Sequence, residues 1–153
     1  MGVCRFLNNV AVTLATNFTG PFFTVQALLP CLNNPASVVF VSSVAVEKAY
    51  PTCAVYAASK AAFEAAAKVM NVELADRGIR VNSLRPGVTE TEIQTKAGIT
   101  PEQMDGLKAS LTALPIGRIL SPADLVPALA YLVGDSSIAM RAGVITVDGG
   151  FAS

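Results

Sequence analysis

Four apolar residues in succession, Val38, Val39, Phe40 and Val41, stand out in a chain whose other apolar positions mostly recur at three- and four-residue steps. An unbroken apolar run of that length, bounded by Ser37 and Ser42, predicts a strand buried on both faces in a parallel sheet. Before it, Leu14, Phe18, Phe22, Val25, Leu28 and Leu29 give residues 10–32 a helical period with one broad apolar face. Gly20-Pro21 falls inside that pattern, and a proline without a backbone donor predicts a kink or restart there. After the apolar run, a helix from about Ala54 to Arg77 is closed by Gly78 as a C-cap, and IRVNSL at 79–84 predicts the next strand. Strand, helix, strand implies a right-handed crossover and parallel strands. The loops that follow them, at Ser43 and at Pro86-Gly87, then open on one sheet edge, where open α/β sheets take ligands.

Residues 87–121 form the longest stretch without a strand pattern, which in one compact domain predicts a functional loop or lid. It carries a helix of its own. Thr100 and Gln103 make a capping box, Pro101 takes the first helical position, Ile99 can staple to Met104, and Met104, Leu107 and Leu111 give an apolar stripe. A further helix starts at Ser121-Pro122 with Asp124 in the box position; Leu125, Leu129 and Leu132 mark its buried side, and Pro127 predicts a bend. Gly143 to Val147 reads as the last strand and Asp148-Gly149-Gly150 as a structural turn whose glycines permit positive φ.

Composition narrows the function classes. The 153 residues suit one domain with a real core, and 52% are hydrophobic against 14% charged. Eleven basic residues balance eleven acidic ones, so no charge excess draws the chain to nucleic acid or an anionic membrane. No apolar run approaches the roughly 18–20 residues of a membrane span. Cys4, Cys31 and Cys53 are widely spaced, with no CxxC pair and no histidine, which leaves no metal site and predicts thiols in a reducing compartment. The absence of histidine also excludes a Ser-His-Asp or Cys-His mechanism within this chain. The N-terminus has no basic segment followed by a continuous apolar stretch, so a cytoplasmic location is the expectation.

Proton chemistry is therefore left to tyrosine and lysine. Tyr56 and Lys60 lie four residues apart on the predicted central helix and share one face, about 5–6 Å apart at Cβ. A cation beside a phenol favours its ionised form and lowers its pKa from the usual value of about 10. Ser43, at the end of its strand, could hydrogen-bond the oxygen that receives the proton from Tyr56.

Ser43, Tyr56 and Lys60, followed by RVNSLRPG at 80–87 and VDGG at 147–150, make the chain resemble the short-chain dehydrogenase/reductase family from about Asn17 to Gly150. The resemblance implies an α/β fold, a truncated Rossmann-like doubly wound parallel sheet. It also implies NAD- or NADP-dependent hydride transfer with a small carbonyl or alcohol substrate. Tyr56 takes the place of the family's acid/base, Lys60 of the lysine that binds the nicotinamide ribose, Ser43 of the substrate-orienting serine, and Asn17 of the asparagine that supports a water-linked proton relay. The nicotinamide end of the cofactor would meet Tyr56, Lys60, Pro86, Gly87, Thr89 and Thr91, the last from the family's PGxxxT. The Ala-rich helix, with Ala54, Ala57, Ala58, Ala61, Ala62, Ala65, Ala66 and Ala67, together with the helix before it, implies a homodimer or homotetramer.

One family motif is missing. No glycine-rich turn of the type TGxxxGxG, which would set a pyrophosphate on a helix N-terminus, occurs in the sequence. The chain therefore reads as the C-terminal part of such a protein, and the alternative to an enzyme is a non-catalytic remnant or assembly module. RFLNNVA at 5–11 matches the family's fourth strand only weakly, and Asn8 and Asn9 read as a turn. Because the strand at 37–42 would otherwise keep an open edge, the segment VCRFL or another chain is expected to cover it.

Overall fold

The structure, a computed structural model, describes residues 10–96 and 98–152. Three parallel strands in the order β1-β2-β3 form its sheet: β1 is Ser37–Val41, β2 is Arg80–Pro86 and β3 is Val144–Val147. Between β1 and β2 the chain crosses over through the 20-residue helix α3, Ala54–Glu73. A 3₁₀ turn, Ala75–Arg77, follows α3, and Gly78 ends it in the left-handed region at φ 65°. The α-helix is thus four residues shorter than the sequence pattern suggests, while its glycine stop is where the pattern put it.

β2 is the centre of the sheet and β1 is an edge. Residues 80–84 of β2 are all buried, whereas Phe40 alone is buried in β1 and Val41 is 49% exposed. This corrects the expectation that β1 is buried on both faces. Among the described residues β1 pairs with β2 and with nothing on its other side. The segment VCRFL, expected to cover that edge, lies outside the described residues, as does Cys4.

Alternation along β2 sends neighbouring side chains to opposite faces. Arg80 reaches the end of α6, Pro122–Val133, by donating to the carbonyls of Val133 and Gly134 at 3.2 and 2.7 Å. Arg85, of opposite parity, meets Glu64 on α3. On the α3 face Phe40, Phe63, Ala67, Met70 and Val81 form the core, with the Phe40 and Phe63 rings stacked at 4.0 Å. Phe18, Phe22 and Val25 pack against it from the first helical segment.

A polar residue secures α3 to β2. Buried Asn71 donates to the carbonyls of Ala67 and Val81 at 2.6 and 2.8 Å and accepts from the Val81 amide at 3.1 Å. Its amide acts as a short stretch of paired strand inside the core.

The first helical segment is broken earlier than the proline predicts. α1, Val10–Leu14, passes into a π turn, Ala15–Thr19, before α2, Gly20–Leu28, begins with Pro21 in its first turn. The amide of Gly20 bonds to the carbonyl of Ala15, five residues back, so the ladder has widened by one residue ahead of the proline. Asn17 lies inside this turn.

Residues 87–121 leave and return at one point. Thr89 and Leu120 form an isolated parallel bridge, with Glu90 donating to Leu120 at 2.8 Å and Leu120 to Val88 at 3.2 Å. The excursion carries α4, Ile93–Lys96, and α5, Pro101–Leu111, the latter opened by the expected box of Thr100 and Gln103. α6 has its expected box of Ser121 and Asp124 and runs through Pro127 as one helix. The Arg118 guanidinium, hydrogen-bonded to Asp124, holds that carboxyl well below the usual carboxylate range. Leu132 is fully buried, whereas Leu129, expected on the same buried side, is 36% exposed.

No helix among the described residues is long and apolar enough to cross a membrane.

Candidate active site

Parallel pairing of β1 and β2 puts their following loops side by side, and a cleft of about 370 Å³ opens between them. Ser43, Tyr56, Lys60, Pro86, Gly87, Thr89 and Thr91 all line it, with Pro122 and Leu125 of α6 on the far side. Seven of the eight residues singled out from the sequence are thereby brought to one place. Asn17 is the eighth and lies elsewhere.

Ser43 continues β1 in extended conformation and caps a 3₁₀ turn, Val44–Val46. Its Oγ accepts from the Ala45 amide at 3.1 Å. That bond uses an acceptor site of the hydroxyl and leaves its proton available to a ligand oxygen.

Tyr56 and Lys60 sit in the first two turns of α3, on the face that meets the end of β1. Lys60 Nζ donates to the Val41 carbonyl at 2.9 Å. It lies 5.1 Å from the centroid of the Phe40 ring and 5.8 Å from that of Tyr56, within the range of cation–π attraction. Partial burial pulls the Lys60 pKa below its ordinary value. The ammonium is therefore held between two rings and one carbonyl at the mouth of the cleft.

The loop from Gly87 to Gln94 is organised by a residue that the sequence reading passed over. Gln94 donates to the Thr89 carbonyl at 2.7 Å and accepts from the Thr91 amide at 3.1 Å. Thr91 Oγ1 accepts from the Ile93 amide at 3.2 Å. Thr91 and Gln94 stand three apart as Thr100 and Gln103 do, so the same T-x-x-Q spacing that marked α5 was there to mark this turn. Gly87 is required by packing, since a Cβ there would meet Asp148 Cα at 2.7 Å.

Asn17 faces the other side of Tyr56. It borders a separate cavity of about 400 Å³ with Thr13, Thr16, Cys53 and Tyr56, so Tyr56 belongs to both spaces. Asn17 Nδ2 donates to Ser59 Oγ at 3.1 Å, and Ser59 Oγ donates to the Tyr56 carbonyl at 2.7 Å.

Behind the cleft lies an ion-pair cluster that no motif announced. Arg85 donates to both oxygens of Glu64, at 2.9 and 2.6 Å, and to Glu47 at 3.3 Å. Burial pushes the Glu64 carboxyl up, but the Arg85 hydrogen bonds, the neighbouring Ser42 hydroxyl and the charges of Arg85 and Lys68 more than offset it, leaving the group below its ordinary range. The Ser42 hydroxyl is buried against this carboxylate without reaching full hydrogen-bond geometry. Among the described residues no group of histidine, cysteine, aspartate and glutamate side chains could hold a metal ion.

Comparison with known proteins agrees with this architecture. The family model described as enoyl-(acyl carrier protein) reductase matches residues 7–152. An uncharacterized oxidoreductase of Methylorubrum extorquens is 35% identical over 134 residues, covering 88% of this chain and 53% of its own length. The 3-oxoacyl-(acyl-carrier-protein) reductase FabG of Thermotoga maritima is 35% identical over 136 residues, with 88% of this chain and 53% of the relative covered. The crystal structure of a small-chain dehydrogenase in complex with NADPH superposes with a TM-score of 0.87 at 28% identity, over 95% of this chain and 64% of that one. The chain spans about half the length of the curated relatives it matches.

Proposed function

This chain belongs to the short-chain dehydrogenase/reductase family, and from that premise we propose that it is an NAD(P)-dependent oxidoreductase acting on a small carbonyl or alcohol through Ser43, Tyr56 and Lys60. The observation that carries this reading is the common cleft at the C-terminal ends of β1 and β2, where these three residues meet the Pro86–Thr91 loop.

The groups present fit the nicotinamide-ribose end of a dinucleotide. Lys60 offers a cation, Thr89 and Thr91 offer hydroxyls, and Gly87 leaves the loop without a side chain. When bound, the nicotinamide supplies or accepts the hydride. Tyr56 passes a proton to or from the substrate oxygen, which general acid–base catalysis makes worth about 10²–10⁴-fold in rate. The Lys60 ammonium, 5.8 Å from the centre of its ring, places a cation beside this exchange. Ser43, fixed by the Ala45 amide, donates its hydroxyl proton to the same oxygen. Asn17 acts through Ser59 on the backbone of Tyr56 and steadies the first turn of α3.

A second copy of the chain is the proposed partner. Ala54, Ala58, Ala65, Val69 and Val72 are exposed at helical spacing along α3, Val72 to 77%, and Phe23 of α2 is exposed as well. Such a stripe supports close helix packing in a homodimer or homotetramer.

The test is turnover. Purified chain is assayed for oxidation of NADPH and NADH with small ketones and aldehydes, beside Tyr56→Phe. Turnover that falls at least about 100-fold in the variant supports the reading; equal turnover in both removes Tyr56 from the chemistry.

A further inference from the structure

Lys60 and Glu64 are four residues apart on one face of α3, a spacing at which ammonium and carboxylate can reach each other. Here they have other partners. Lys60 donates to Val41, and both Glu64 oxygens accept from Arg85. The Arg85 side chain is 17% exposed and that of Glu64 11%, so their mutual attraction is screened less than that of a surface pair. A bidentate guanidinium also takes one acceptor site on each carboxylate oxygen, so a lysine is left only the remaining outer sites.

We propose that Arg85 is a positioning residue for Lys60: by occupying both oxygens of Glu64 it keeps that carboxylate from capturing the Lys60 ammonium, which stays on the Val41 carbonyl beside the Tyr56 ring. The sequence places Arg85 directly before the Pro86-Gly87 turn, so the strand that supplies the floor of the cleft also supplies this guard. Two other charges bear on the cluster. Glu47 shares Arg85 from the exposed side, and Lys68, exposed one turn beyond Glu64, attracts the same carboxylate through solvent. Neither replaces the guanidinium. Glu47 has the wrong sign, and Lys68 brings one screened point charge where Arg85 brings two aligned donors.

The consequence for catalysis rests on the function proposed above, but the protonation and hydrogen bonding of Lys60 do not, so they are measured directly. The 153-residue chain labelled with ¹³C and ¹⁵N is titrated by NMR, reading the Lys60 side-chain pKa and the Val41 carbonyl shift in wild type, Arg85→Met, Arg85→Lys and Arg85→Met/Glu64→Gln. Arg85→Met should raise the Lys60 pKa by about one unit and move the Val41 carbonyl resonance, as the ammonium transfers to Glu64. Arg85→Lys should give a smaller shift of the same sign, and it serves as the test if the methionine variant does not fold. Arg85→Met/Glu64→Gln should restore both readings, which a merely structural loss would not. Lys60 unchanged in Arg85→Met and in Arg85→Met/Lys68→Gln overturns the proposal, as does a shift that Glu64→Gln fails to reverse. If the readings come out as expected and the enzyme shows no turnover, the functional reading fails and the positioning role stands.

Discussion

Asn17 reaches α3 at Ser59, 42 residues away, and Ser59 in turn holds the carbonyl of Tyr56. The π turn Ala15–Thr19 carries Asn17 beside α3, so a local irregularity in one helix secures the first turn of another. Asn17→Ala should lower stability by about 1 kcal/mol, the ordinary net worth of one such bond, as read by urea unfolding. A midpoint unchanged from wild type would show that the Asn17–Ser59 bond contributes nothing.

Asn71 makes three hydrogen bonds while buried, two of them from α3 to Val81 of β2. Asn71→Ala strands the Val81 amide in the core, while the Val81 carbonyl keeps the Ala142 amide at 3.1 Å. One stranded group costs about 1–3 kcal/mol, so the loss should reach about 2 kcal/mol. Thermal unfolding of the variant measures it, and a loss below about 1 kcal/mol would mean that water takes over these bonds.

Tyr50 gives a pH prediction. Its ring stacks on Phe151 at 5.4 Å, and its hydroxyl is buried without a hydrogen-bond partner. Burial first, then the charges of Cys53 and Asp148, push its pKa from 10.0 up to about 12. The unfolded chain therefore releases this proton from pH 10.0 upward while the folded one holds it, so the stability it contributes is present below pH 10.0 and is lost as pH rises toward about 12. Absorbance titration should show one late tyrosine that Tyr50→Phe removes. At neutral pH the same variant should be at least as stable as wild type, because it removes a buried unpaired hydroxyl. A loss of more than about 1 kcal/mol would mean that the hydroxyl has a partner.

Self-association is tested by charge. Val72→Asp places a carboxylate on the exposed apolar stripe of α3 and should shift the chain toward monomer in light scattering, with its far-ultraviolet spectrum unchanged. Wild-type protein that is monomeric at high micromolar concentration would contradict the dimer.

The spacing of Ser43, Tyr56 and Lys60 was enough to place the cleft, because parallel strands joined by a helix leave few geometries for it. The capping boxes of α5 and α6 were equally legible, since both depend on side chains three residues apart. Long-range choices were not. The sequence pattern does not show which faces of an apolar strand the rest of the chain covers, which is why β1 was expected to be buried on both. Nor does any local pattern announce Arg85 with Glu64, or Asn71 with Val81, since each pairing depends on which face of the sheet α3 covers. Leu129 followed the apolar period of α6 correctly and still ended exposed, because burial also needs a neighbour to cover it.

The central claim is that the cleft shared by Ser43, Tyr56, Lys60 and the Gly87–Thr91 loop receives the nicotinamide end of a dinucleotide. An NMR titration of ¹⁵N-labelled chain with NADPH tests it most directly, by following the backbone amides residue by residue. The account predicts saturable shifts at residues 43, 56, 60 and 87–91, reduced when Lys60 is replaced by methionine. Shifts confined to other surfaces, or none up to millimolar cofactor, would contradict it.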